Sequence, residues 1–89
     1  MTAEQVLDVS HLEPCEPLER ILATIPNLQA GEYLRVLHRM EPQPLYPILT
    51  EKGYAWLTQK GQDVQIEVYI WRNTDAQAEA AARDGAKFA

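Results

Sequence analysis

Residues 64–72 read Val64-Gln65-Ile66-Glu67-Val68-Tyr69-Ile70-Trp71-Arg72, in which aliphatic residues alternate with polar or aromatic ones from Val64 to Trp71. A period of two puts Val64, Ile66, Val68 and Ile70 on one side and Gln65, Glu67, Tyr69 and Trp71 on the other, the signature of a β-strand. The regularity of this alternation marks it as a central strand. Just before it, Gly61-Gln62-Asp63 is a hairpin-length link to another strand over Tyr54–Lys60. The chain therefore closes on an antiparallel pair.

Upstream, strands alternate with helices. Gln5 to Val9 reads as a short strand, and Leu12-Glu13-Pro14-Cys15-Glu16-Pro17 is too proline-dense to be regular. Leu18, Ile21, Leu22 and Ile25 then fall at i, i+3, i+4 and i+7, one apolar stripe of a helix. Pro17 suits an early helical position, and Glu16 and Glu19 suit the positive end of the helix dipole. Pro26 restricts the residue before it and ends the helix near Ile25. Glu32 to Arg39 reads as a strand with Leu34, Val36 and His38 on one side and Tyr33, Arg35, Leu37 and Arg39 on the other. A second helix starts at about Pro44, with Leu45, Ile48 and Leu49 on its apolar side and Gly53 at its C-terminal cap.

The order strand, helix, strand, helix, strand, strand predicts an α/β fold: a two-layer α+β sandwich of βαβαββ order, with a four-stranded mixed sheet and two helices on one face. One domain covers residues 1–72. Residues 73–89 form an alanine-rich tail, expected to be a frayed helix or disordered because alanines bury little area. Thr74 and Gln77 have capping-box spacing and Gly85 is a candidate stop. The uncovered sheet face would then expose Tyr33, Arg35, Leu37, Arg39, Tyr69 and Trp71. Aromatic and guanidinium groups are enriched at protein interfaces, so a homodimer through this face is one partner reading. The other is that the aromatics merely shield strand pairing.

Composition narrows the function classes. The 89 residues carry 13 acidic and 8 basic side chains, and the whole excess lies in residues 1–19, which hold Glu4, Asp8, Glu13, Glu16 and Glu19 and no Lys or Arg. Nucleic-acid binding needs cations to displace the counterions on phosphates, so an acidic chain without a basic stripe argues against it. The sequence has no long apolar run, no signal-like start and no lipidation ending, which points to a cytoplasmic protein without a membrane anchor. A single cysteine forms no internal disulfide.

The order and spacing of several short motifs resemble the TusA/SirA-like superfamily of small sulfur-carrier domains, and most closely the domain-of-unknown-function family 2249 within it. The matching features are Leu7-Asp8, Glu16-Pro17, Gly31-Glu32, Pro42-Gln43-Pro44-Leu45-Tyr46 and the strand ending Ile70-Trp71-Arg72, across about residues 5–72. The resemblance implies the fold already read from periodicity. It also implies a functional corner at the proline-rich loop before the first helix and the adjoining start of the second, with Pro14, Cys15, Glu16, Pro17, Arg20, Glu41, Pro42 and Pro44 as candidate binding residues. The sulfur carriers use a Cys-Pro-x-Pro motif whose cysteine takes a persulfide. Aligning Glu16-Pro17 with its end puts Pro14 at the carrier position, so Cys15 is displaced by one residue.

The expectation is therefore a non-enzymatic binding or interaction domain, acting through a protein partner or a small ligand. The alternative is a sulfur carrier with its persulfide on Cys15 and Arg20 as an orienting charge. A helix start favours a thiolate, but Glu13, Glu16 and Glu19 oppose one. No acid–base pair, glycine-rich phosphate loop or ligand spacing calls for a cofactor or metal, and His11, His38, Cys15 and Glu41 are too dispersed to make a metal set.

Overall fold

The computed structural model of the chain describes residues 3–12, 16–61 and 64–87. Its elements are β1 (Glu4–Asp8), α1 (Glu16–Thr24), β2 (Tyr33–His38), α2 (Leu45–Lys52), β3 (Tyr54–Lys60), β4 (Ile66–Arg72) and α3 (Ala76–Lys87), with a 3-10 turn at Ile25–Asn27. The strands lie in the order β1-β2-β4-β3. β1 pairs parallel with β2, and β4 pairs antiparallel with both β2 and β3. Thus β1, β2 and β3 share a direction, and β4 is a central strand, as expected.

Local chemistry sets the boundaries. Pro26 breaks α1 into one tighter turn, closed by the Leu28 amide on the Ile25 carbonyl at 3.2 Å. Pro47 is tolerated because the first turn of α2 has no intrahelical partners for its amides. Gly53 ends α2 at φ 89°, a left-handed conformation that disfavours a side chain. β4 starts at Ile66, two residues later than the alternation implies, and the Gln62-Asp63 part of the hairpin link falls outside the described residues.

α1 and α2 cover one face of the sheet, forming the expected sandwich. Val9, Ile21, Ile25, Leu34, Val36, Leu45, Leu49, Val68 and Ile70 are buried together there. Leu7, Leu18 and Leu22 pack on that core only partly buried.

The other face differs from the expectation. Ala76–Lys87 is a packed helix rather than a frayed tail, and it covers the aromatic half of the sheet that was expected to be open. Tyr33, Tyr69 and Trp71 are at most 4% exposed beneath Ala78, Ala82 and Ala86. Alanines contribute little area of their own, but they let a helix approach three large rings, and the area of the rings is what leaves water. Asp75, not Thr74, caps α3: its carboxylate accepts the Ala78 amide at 2.9 Å and the Gly31 amide at 2.8 Å. Gly85 does not stop the helix. A Cβ there would overlap the Tyr33 hydroxyl, so the glycine permits close contact.

Candidate functional site

Because β1, β2 and β3 run in one direction, their carboxyl ends lie at one rim. Asp8 is in register with Leu37, and both His38 and Lys60 are in register with Ile66. α1 and α2 both begin after strands that end at this rim. In open α/β sheets, ligands bind outside the carboxyl ends of the strands, and this topology gathers the loops there.

On the β1 side, the Asp8 carboxylate accepts the Ser10 hydroxyl at 2.6 Å and the Ser10 amide at 3.0 Å. These bonds hold its pKa below the usual carboxylate range and close a tight turn. Glu16 and Arg20 are exposed on α1, whereas Pro17 is buried and serves packing. Pro14 and Cys15 lie outside the described residues.

The β2 side is more highly organised. His38, the last residue of β2, is 5% exposed, and its Nδ1 accepts the Met40 amide at 3.2 Å. Burial, reinforced by the charge of Arg39, lowers the pKa of the imidazole. Tyr46, in the first turn of α2, bonds through its hydroxyl to Glu41 at 3.0 Å and to Thr58 of β3 at 2.6 Å. Its ring stacks on Trp56 with centroids 4.9 Å apart. Burial, with Glu41 as a lesser cause, raises the tyrosine pKa. The Glu41 carboxylate also accepts the Gln43 amide group at 3.2 Å. Residues 39–44 are thus tied at both ends, while Met40 in between stands 62% exposed.

Of the sequence-derived binding residues, the topology brings Glu16, Glu41, Pro42 and Pro44 to this rim. Pro42 is half-buried and the other three are exposed. His38, Tyr46 and Thr58 join the site from outside that set. His38 carries a sequence signal, since alternation puts it beside Leu34 and Val36 on the core side, where a polar side chain needs a reason.

The proposed interface residues divide differently from the expectation. Tyr33, Tyr69 and Trp71 are buried by α3, Leu37 is half-buried, and Arg39 is exposed beyond the end of β2. Arg35 is held by carboxylates, at 2.7 Å from Glu67 and 3.8 Å from Glu4. The aromatic surface invoked for a homodimer is therefore already occupied, by this chain's own helix. Glu67, marked in the sequence only by its place in the strand, receives Arg35, the Tyr69 hydroxyl at 2.8 Å and Gln59 at 3.3 Å. Among the described residues, no three His, Cys, Asp or Glu side chains gather as metal ligands. A shallow depression lined by Gln5, Thr24, Asn27, Leu28, Gln29 and Glu32 lies at the opposite, amino end of the sheet.

The fold and rim define a small α/β domain with a polar, loop-built corner at the carboxyl ends of its parallel strands. The chain belongs to the family described as "Uncharacterized conserved protein (DUF2249)", whose model matches residues 6–72. That match runs from β1 to the last residue of β4 and stops short of α3. No curated protein matches the chain, and no solved structure does. No helix among the described residues is long and apolar enough to cross a membrane.

Proposed function

We propose that this domain is a non-catalytic, TusA/SirA-like binding module that recognises a protein partner at the rim loop 39–44, with Met40 as the apolar anchor. Glu41, Pro42, Pro44 and Glu16 at the start of α1 form the border of that surface, with Arg20 one turn further along the same helix. The observation that carries this reading is the contrast at Met40. A large apolar side chain is left 62% exposed on a loop whose backbone is fixed to a buried histidine. A loop ordered before binding loses little conformational entropy on association, and methionine adapts to the surface it meets. A cytoplasmic location is part of this reading.

Among the described residues, the polar groups that are best organised are already engaged with one another. Glu67 is enclosed by three donors, and Tyr46 bridges Glu41 and Thr58. None is paired as a nucleophile with a base, which favours binding over catalysis.

The test is site-specific photo-crosslinking in cells, with Met40→p-benzoylphenylalanine compared with Val6→p-benzoylphenylalanine. Val6 is 55% exposed on β1 and supplies an apolar control away from the loop. A discrete protein adduct at position 40 and none at position 6 is the expected result. Adducts only at position 6 would move the surface to the sheet edge. If no adduct forms at either site, and incubation with a cysteine desulfurase and cysteine adds one sulfur atom to the parent but not to Cys15→Ser, the domain is a carrier.

A further inference from the structure

The His38 bond has a defined direction. A backbone amide nitrogen donates and does not accept, so the Met40 N–H fixes Nδ1 of His38 as an acceptor. An uncharged imidazole that accepts at Nδ1 carries its proton on Nε2. An imidazolium carries protons on both nitrogens and cannot accept the amide at all. Gaining one proton therefore abolishes this bond and places two N–H groups against each other.

The surroundings offer the charged ring no compensation. On its own chain segment, Arg39 adds positive charge. On the following loop and α2, Glu41 is engaged by Gln43 and Tyr46. On β3, the cation Lys60 is in register with Ile66, the partner of His38. On the β1 side, Asp8 is engaged by Ser10 and lies 3.9 Å from His11, while Glu16 is exposed at the start of α1. Among the described residues no carboxylate bonds to the His38 ring. A charged ring there gains solvation only by leaving its buried place, and that movement takes the Met40 backbone with it.

We infer that His38 is a pH-sensitive latch on the rim loop: the uncharged ring holds Met40 in its presented position, and protonation releases the loop at Met40 while its Glu41 end stays bonded to Tyr46. The inference rests on the proposed docking role of that loop, and it makes partner binding strongest above the ordinary titration range of histidine. The neutral fraction of one group falls tenfold for each pH unit below its midpoint, so protection of the Met40 amide should fall by about that factor.

The experiment is NMR on the whole chain between about pH 7.5 and 5, a range that brackets histidine titration. The expected results are an Nε2–H tautomer for His38 at the upper pH and Met40 amide protection that declines with the His38 midpoint. In His38→Asn, which keeps an acceptor near the Nδ1 position but does not titrate, that protection should stay flat. In His38→Phe it should be low throughout. An Nδ1–H tautomer, or equal Met40 protection across the range in the parent, overturns the latch. Crosslinking at position 40 is run at both ends of the range. An adduct lost at low pH in the parent but kept in His38→Asn supports the latch, and an adduct equally strong at both ends overturns it as a control on binding. Absence of any adduct beside an intact NMR response retires the docking role and leaves the latch standing.

Discussion

Arg35 on β2 reaches diagonally across the sheet to Glu67 on β4, with nitrogen and oxygen 2.7 Å apart. The Glu67 side chain is almost wholly buried and that of Arg35 is 27% exposed. Removing the guanidinium strands a buried carboxylate, an effect of about 3–5 kcal/mol in fully buried pairs. Water reaches part of Arg35, so Arg35→Ala is expected to cost about 2–4 kcal/mol, read by urea denaturation. A loss below about 0.5 kcal/mol, the size of an ordinary surface change, would contradict the pairing.

The same carboxylate gives the fold an acid limit. Burial by itself raises the Glu67 pKa, but the bonds from Arg35, Tyr69 and Gln59 outweigh it and hold the acid below its ordinary value. A depressed carboxyl stabilises the fold above its unfolded pKa, and that contribution disappears as pH falls through the folded value. Melting temperature should therefore drop below about pH 4.5, the ordinary range of a glutamate, and the drop should be shallower in Glu67→Gln. An identical acid profile in the variant would assign the limit to other groups.

α3 is held by contact with rings, so its docking is sensitive to volume. Ala82→Glu puts a charge at a fully buried position and Gly85→Val forces a side chain into Tyr33. With Trp56→Phe as the background, so that Trp71 is the one tryptophan, each is expected to detach the helix, shift Trp71 fluorescence to the red and increase its quenching by acrylamide. Emission unchanged in both variants would mean that α3 does not cover Trp71 in solution.

On the opposite face, Ile21 is completely buried and Glu19 is exposed on the same helix. Ile21→Ala should cost about 2–5 kcal/mol, and Glu19→Ala should stay within about 0.5 kcal/mol. Chemical denaturation of the two variants compares them directly, and similar effects would mean the helix is turned the other way.

Features with a local cause are legible in the amino-acid sequence. The period of two over residues 64–72, the 3.6-residue stripe through Ile21 and Ile25, and the caps at Pro26 and Gly53 each follow from one stretch of chain. The cover supplied by α3 is not legible in this way, because its driving force belongs to Tyr33, Tyr69 and Trp71, distant in sequence, and its alanines look too small to pack. Gly85 reads as a helix stop until the Tyr33 ring is placed against it. The rim is partly legible: motif order brings the lead-ins of both helices to notice, but the bond from Met40 to His38 depends on a ring orientation that alternation alone does not give. The Glu67 pairing is not legible either: alternation puts Glu67 on the face read as open, where a carboxylate needs no partner, and only its burial in the folded sheet makes Arg35 necessary.

The most direct measurement is the affinity of the crosslinked partner, once purified, for the parent, Met40→Leu and Met40→Asp. A truncated or charged anchor at the centre of an interface costs at least about 1–2 kcal/mol, so Met40→Asp should bind about tenfold or more weakly while Met40→Leu stays within about threefold. Equal affinity of all three proteins would contradict the assignment of the 39–44 loop as the docking surface.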